Sequence, residues 1–325
     1  MLQRMCWIFP DRESTRTAAQ WNAAFWRTYQ EVAKELGLSW ERTAPEAVTV
    51  DALDPRNPRV YVDGILVTPR DTLFVTSPYT LPYQAADAFN QFTLYAVLEQ
   101  AGFYLPHPSW LAALGNDKLA TLLFLKDSPI PPVPTVRIGS GRDLLYDEFL
   151  PAVENLPYPA IVKPSGWAAS RGINMAHDAH DVRGLLSLAQ GGDTTLVFQP
   201  YLGRATTDYR IHMVDGKPHT TLVRIPGDGA RYPQYSTGAR LHYAPLPDEL
   251  AAAVDYFAKK LPMPYFCVDF LHDGDRFWLS EVEPDGAIMC PDSRDPAVVA
   301  QNRAIVRDRF LAYRDGHARL HGGAL

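Results

Sequence analysis

Twice in the first hundred residues a short apolar strand is followed by a helical run closed by glycine, and that alternation commits the start of the chain to an α/β arrangement. Cys6–Phe9 reads as a buried strand. Thr17–Leu36 then places Ala18, Trp21, Phe25, Tyr29, Val32 and Leu36 on one helical face, with Gly37 as the stop. Residues 59–67 predict a hairpin turning at Asp63-Gly64, 72–77 a further strand, and 86–102 a second helix through Phe92, Tyr95, Leu98 and Ala101.

Beyond this lobe the pattern mixes helices with hairpins. Asn116 or Asp117 can cap a helix over Lys118–Leu125, and the proline-rich SPIPPVPT at 128–135 reads as a connector between lobes. A strand at 161–164 feeds a glycine- and serine-bearing loop. A helix capped by Asp178 or Asp181 and a strand within 194–202 follow. DYRIHMV and HTTLVRI flank Asp215-Gly216 as a hairpin, and residues 248–261 form a helix with Leu250, Val254, Phe257 and Leu261 inward. YFCVDFL and RFWLSEVE make the last hairpin, Asp295–Asp315 the last helix, and the tail HARLHGGAL, with little to bury, is expected to be mobile. We expect three lobes, at 1–115, 116–200 and 201–325.

The formal charge of −6 argues against a nucleic-acid partner, although an acidic protein can still carry a basic cleft. Three scattered cysteines fit a reducing compartment better than a disulfide framework. The N-terminus lacks a signal-peptide pattern, and no apolar run is long enough to span a bilayer. Together these point to a cytoplasmic protein without a membrane partner.

The densest chemistry lies in the last hairpin: Asp269, Glu281 and Glu283. Oxygen ligands of this kind hold hard divalent cations such as magnesium. Twelve residues separate Asp269 from Glu281, so both share one sheet face only if the connecting loop is odd. A three-residue Asp273-Gly274-Asp275 loop meets that condition. Taken alone, the acids fit two polar edge strands facing water equally well.

Two further groups stand out. In KPSGWAASRGI, Ser165, Gly166, Ser170 and Gly172 allow backbone N–H groups to meet phosphate oxygens, and Lys163 at the strand end adds a cation. In DYR, Asp208 and Arg210 point the same way along a strand, with Arg224 on the partner strand. A carboxylate there can accept from ribose hydroxyls, and two arginines can hold a carboxylate or a transferring phosphoryl group. A cross-strand salt bridge explains the isolated pattern at least as well. His177 and His180 read as a solvated helix start, and Cys290 as a small buried thiol.

The order of these pieces resembles the ATP-grasp family, most of all its ribosomal-protein glutamate ligase and glutathione synthetase branch, over residues 86–290. The resemblance implies an α/β (α+β) fold in which an N-terminal α/β lobe precedes two α+β lobes that sandwich ATP. It implies that Lys118 of the DK pair and Lys163 bind ATP phosphates, that Gln199, Pro200, Tyr201 and Leu202 form the adenine hinge, and that Asp208 and Arg210 match the DIR-type motif. Arg224 matches the later strand arginine, and Asp269, Glu281 and Glu283 match the metal ligands for magnesium, expected as two ions, with manganese an alternative. Arg210 and Arg224 would be the catalytic pair.

The sequence departs from the family at three points: Pro200 replaces the hinge glutamate, Glu283 the usual asparagine, and YSTGAR, with Ser236, Thr237 and Gly238, the serine-asparagine stretch. The activity implied is ATP-dependent joining of a carboxylate to an amine through an acyl phosphate, releasing ADP and phosphate. Amino acids, peptides or other carboxylates would be the substrates, a peptide or protein a further kind of acceptor, and homo-oligomerisation is compatible with it. Two other readings stay open: a silent ATP-binding regulatory protein, and a phosphotransferase acting on a hydroxyl.

Overall fold

The computed structural model describes residues 2–9, 19–76, 85–139, 150–167, 170–192, 194–230, 238–288 and 293–322. Ala18, Ser236, Thr237, Cys290 and the side chains of Trp21 and Phe25 lie outside the described residues.

Four sheets are described. Strand β1 (Arg4–Ile8) pairs in parallel with β2 (Ser39–Thr43) and β6 (Thr72–Thr76). A small antiparallel sheet joins β3 (Val48–Asp51), β4 (Arg59–Val62) and β5 (Ile65–Val67), turning at Asp63 and Gly64, both at positive φ as an Asp-Gly hairpin turn requires. Helices α1 (Ala19–Glu35) and α2 (Ala85–Gln100) match the two expected helices. Strands β2 and β3 and helix α3 (Ser109–Gly115) were not expected, because they are short and lack a clean period.

Helix α4 (Lys118–Phe124) starts at Asp117, whose carboxylate accepts from the Ala120 N–H at 2.9 Å. The second sheet runs β7 (Val136–Ile138), β10 (Leu196–Pro200), β8 (Ala160–Pro164), β9 (Asn174–Ala176). Helices α5 (Leu150–Glu154) and α6 (Ala179–Gly191) pack on it through Val153, Val182 and Leu186. Asp178 caps α6, accepting from His180 and Asp181 N–H, which makes the histidine pair beside it part of a helix start.

The largest sheet is β13 (Arg240–Ala244), β12 (Lys217–Ile225), β11 (Thr207–Val214), β14 (Tyr265–His272), β15 (Phe277–Glu283). One face buries Ile211, Met213, Phe266, Val268 and Phe270 against α7 (Ala251–Lys260), where Leu250, Val254, Phe257 and Leu261 all turn inward as expected. The proline connector also joins this sheet: Val133 N–H donates to Leu279 O and Leu279 N–H to Pro131 O, both at 2.9 Å.

Two expectations are corrected at the C-terminus of the chain. Asp273 N–H donates to Arg276 O, so β14 and β15 are joined by a two-residue Gly274-Asp275 turn, not the odd three-residue loop. The ladder then shifts from Phe270↔Leu279 to Asp269↔Glu281, leaving Ser280 as a bulge. One extra residue inside the strand has the same effect on facing as one in the loop. The tail is also ordered further than expected. Helix α8 (Pro296–His321) runs to His321, with Gly316 against the Tyr104 hydroxyl and the His317 Nε2 donating to Pro69 O at 2.8 Å.

Helix α8 packs back on the first lobe. Ile305, Val306, Phe310 and Tyr313 join Trp7, Tyr29, Leu73 and Val75 in one core, together with Tyr265 and Cys267 from the large sheet. Each fully buried side chain of this size contributes about 1.5–3 kcal/mol, so the sheet that carries the acids is tied firmly to the first lobe.

Candidate active site

Alternation along β11 places Asp208, Arg210 and His212 on the face opposite the α7 core. Arg210 is paired with Asp269 of β14, and Asp208 with Arg224 of β12. The Ser280 bulge brings Glu281 directly opposite Asp269, and Glu283 opposite Cys267. Carboxylate oxygens of Asp269, Glu281 and Glu283 lie within 4.8 Å of one another.

The two arginines clasp these acids. Arg210 donates from Nε to Asp269 Oδ1 at 2.8 Å and from Nη2 to Oδ2 at 2.7 Å, and reaches Glu283 Oε1 at 2.9 Å. Arg224 Nη2 lies 2.7 Å from both Asp208 Oδ2 and Asp269 Oδ2. Burial pushes the Asp269 carboxyl up, but the guanidinium groups of Arg210 and Arg224 outweigh it and hold it well below the usual range. Burial raises Glu283 and Asp208 instead, and repulsion from Asp269 adds to both. The cross-strand salt bridge weighed from sequence is therefore present, and so is the convergence of acids; one arrangement contains both.

The lysines approach from α4 (Lys118) and from β8 of the second sheet (Lys163). Lys118 Nζ donates to Trp167 O at 2.8 Å and lies 3.9 Å from Glu281 Oε2. Its backbone N–H donates to Ser165 O at 3.1 Å, which fixes α4 to the loop that follows β8. Burial holds the Lys163 ammonium below its usual range; Glu281 opposes this and Lys118 adds to it. Ser170 and Gly172 have positive φ, and a Cβ on Gly172 would meet Pro164 Cγ at 2.8 Å, so the glycine is needed for the loop to fold over the strand end. A Cβ on Gly166 would meet Asn116 Nδ2 at 3.0 Å.

The expected hinge lies at the end of β10. Gln199 pairs with Ile161 next to the Lys163↔Val197 pair, which puts Gln199 and Lys163 on one face. Its amide, however, donates to Thr135 Oγ1 at 2.9 Å and braces the connector. The Tyr201 N–H donates to Pro159 O at 2.9 Å, and Pro200 and Leu202 are half-buried beside it. Tyr201 OH, Asp208 Oδ1 and Arg224 Nε are buried and have no hydrogen-bond partner among the described residues. A buried polar group left this way is met by water, an ion or a ligand, or stores strain.

A buried support was missed from sequence. Arg309 of α8 sits among the rings of Trp7, Tyr265 and Tyr313 and pairs with Asp285, whose other oxygen accepts from Trp7 Nε1 at 3.1 Å. Asp285 stands two residues beyond Glu283, and a Cβ on the next residue, Gly286, would fall on Cys267 Sγ. The aromatic positions read only as core, and nothing in the order of residues ties Arg309 to Asp285.

Comparison with known proteins agrees with this architecture. No family model matches the sequence. The uncharacterized protein MG011 of Mycoplasma genitalium is 23% identical over 218 residues, covering 65% of this chain and 71% of that protein. Its Mycoplasma pneumoniae homolog is 22% identical over 205 residues, 61% of this chain and 67% of that protein. Among solved structures, D-alanine–D-alanine ligase from Bacillus anthracis complexed with ATP superposes with a TM-score of 0.66 at 14% identity, covering 98% of this chain and 99% of that one. ATP-grasp ligase PsnB complexed with a minimal precursor gives 0.62 at 17% (97% and 99%), and D-cycloserine synthetase DcsG 0.61 at 18% (96% and 99%). The chain therefore has the ATP-grasp fold over nearly its whole length. No described helix is long and apolar enough to cross a membrane.

Proposed function

We propose that this protein is an ATP-dependent carboxylate–amine ligase that forms an amide or peptide bond through an acyl phosphate. The observation that carries the reading is the double-arginine clasp: Arg210 and Arg224 converge on Asp269, beside Glu281 and Glu283, on one face of an ATP-grasp sheet. A protein that only binds nucleotide has little need for two buried arginines beside its metal acids.

The donor set fits the ligands. Three carboxylates whose oxygens approach within 4.8 Å suit magnesium, or manganese, which would screen charge on the ATP phosphates. Lys118 and Lys163 face the same acids and would hold phosphate oxygens, with N–H groups of the Ser165, Gly166, Ser170 and Gly172 loop beside them. Asp208, with an unpaired buried oxygen, suits a ribose hydroxyl, and the Pro200–Leu202 segment suits adenine.

In the reaction, a substrate carboxylate attacks the γ-phosphorus of ATP and the bond to the ADP oxygen breaks. The amine then adds to the acyl carbon, and phosphate leaves as the amide forms. Arg210 and Arg224 would meet charge on the acyl phosphate and the tetrahedral oxygen, so most of the rate gain is positioning and charge stabilisation. Each lobe then has a task under the expected division: 1–115 and 201–325 would flank the acceptor, and 116–200 and 201–325 would enclose ATP. Substrates would be an amino acid, peptide or other carboxylate and a small or peptidic amine. A panel of amino acids and dipeptides, assayed for phosphate release with mass spectrometry of the products, tests the reading. Release that does not depend on an amine would contradict it.

A further inference from the structure

The end of the large sheet remote from Asp208 carries a pocket of about 400 Å³, a volume within the range of small-molecule sites. Asp215 and Gly216, the turn between β11 and β12, line it, roughly 16 Å along the strand from Arg210. Met263 and Pro264, which lead into β14, line it too, with Tyr104 of the first lobe and Arg319 of α8.

The surrounding backbone fixes this lining. Asp215 N–H donates to Pro264 O at 2.8 Å, which ties the turn to the segment before β14. Asp215 and Gly216 both have positive φ, as a two-residue Asp-Gly turn requires. Any side chain on Gly316 would collide with the Tyr104 hydroxyl, so that glycine lets Tyr104 lie against α8. Leu261 and Met263, both buried, supply an apolar part of the lining.

Two opposite charges line the pocket, yet neither Asp215 nor Arg319 forms an ion pair among the described residues. The Tyr104 hydroxyl likewise has no hydrogen-bond partner among them. Both charges reach that hydroxyl: burial pushes the Tyr104 phenol up to about 12, Arg319 opposes this and Asp215 adds to it. An acid and a guanidinium around one hydroxyl match a molecule that carries an ammonium and a carboxylate close together. The ammonium donates to the acid and the carboxylate accepts from the guanidinium. The apolar lining suits an apolar side chain on the same molecule. A dipeptide holds its two charges a full residue apart, so a single amino acid fits this arrangement better.

We propose that this pocket is a second binding site, for a free apolar α-amino acid, with its ammonium at Asp215, its carboxylate at Arg319 and its side chain against Leu261 and Met263. The site lies apart from the metal acids and takes no part in bond formation. Its lining joins the first lobe, α8 and the large sheet, so an occupant bound only to the folded chain stabilises their packing.

The full chain labelled with 13C-methyl methionine reports on the pocket through Met263, assigned with Met263→Leu. L-leucine is titrated without ATP or magnesium. Isoamylamine and 4-methylpentanoate, which each keep only one of its charges, are the controls. A saturable Met263 shift with leucine is expected, with each control binding about tenfold more weakly or not at all. Asp215→Asn, which keeps a residue that tolerates positive φ, and Arg319→Gln should each weaken leucine by about tenfold. Thermal unfolding of the free variants should match that of the unmodified protein. Equal shifts with all three compounds, no shift, or leucine binding unmoved in both variants would overturn the site. A Met263 shift with leucyl-leucine but none with leucine would also overturn it. None of these readouts needs turnover, so failure here spares the ligase reading and failure of ligation spares the pocket.

Discussion

Arg210 grips Asp269 with two parallel hydrogen bonds, Nε to Oδ1 at 2.8 Å and Nη2 to Oδ2 at 2.7 Å, while the same carboxylate accepts from Arg224. A buried fork of this kind is costly to break on one side, because the acid left behind stays desolvated. Arg210→Met should therefore lower stability in magnesium-free buffer and abolish ligation far more than it weakens nucleotide binding. Loss of a group that meets charge in the transition state typically costs about 3–4 kcal/mol, a rate loss on the order of a hundred- to a thousandfold. Turnover at saturating ATP and nucleotide affinity are measured on the same variant. Turnover within a few-fold of the unmodified protein would make Arg210 a salt-bridge partner only.

Lys163→Ala should weaken binding of a non-hydrolysable ATP analogue and leave the fold intact. Burial already disfavours the Lys163 ammonium in the free protein, so its removal relieves a strain. Titration calorimetry beside thermal unfolding decides the point; unchanged affinity with unchanged stability would remove Lys163 from the phosphate site.

His107 sets a pH limit on stability. Its Nδ1 donates to Thr76 O at 3.0 Å and its Nε2 accepts from Tyr313 OH at 3.1 Å, an arrangement only the neutral ring allows. Burial pushes it down to about 4, below its unfolded value near 6.5. The unfolded chain thus takes up the proton first, so stability is full above about pH 6.5 and falls as pH drops towards 4. A shift of this size corresponds to roughly 3 kcal/mol across the window. Urea unfolding from pH 7.5 to 4.5 should show this loss, and His107→Gln should flatten the slope. An equally steep slope in the variant would assign the acid sensitivity elsewhere.

Much of this site is legible in the order of residues because its chemistry sits on strands, where a period of two fixes facing. Asp208 and Arg210 share a face for that reason. The parity rule also showed that Asp269 and Glu281 need one extra residue between them to face together. The expectation put it in the connecting loop, but a bulge has the same effect on facing, and the strand carries the extra residue at Ser280, with Leu279 packed in the core. Gln199 was expected at the hinge, and its side chain is engaged by Thr135, a contact across 64 residues. The tail HARLHGGAL is short of apolar residues, yet His317 at its start donates to Pro69 O and packs edge-on against Tyr104.

The buried Arg309 gives a test of how the lobes are joined. Arg309→Met keeps the stem among Trp7, Tyr265 and Tyr313 but strands the Asp285 carboxylate, so stability should fall by about 3–5 kcal/mol. Pairing this change with Asp285→Asn should recover part of the loss in a double-mutant cycle. Strictly additive effects would show that the two side chains do not act together.

Ligation itself is tested most directly by the products of a complete reaction. Magnesium, ATP, one carboxylate and one amine are incubated with the protein, and nucleotide and product masses are read together. ADP and phosphate should form only when both organic substrates are present, with a product equal to their sum less one water. A substrate that instead gains a phosphoryl group, or ADP formed with no condensed product, would contradict amide ligation.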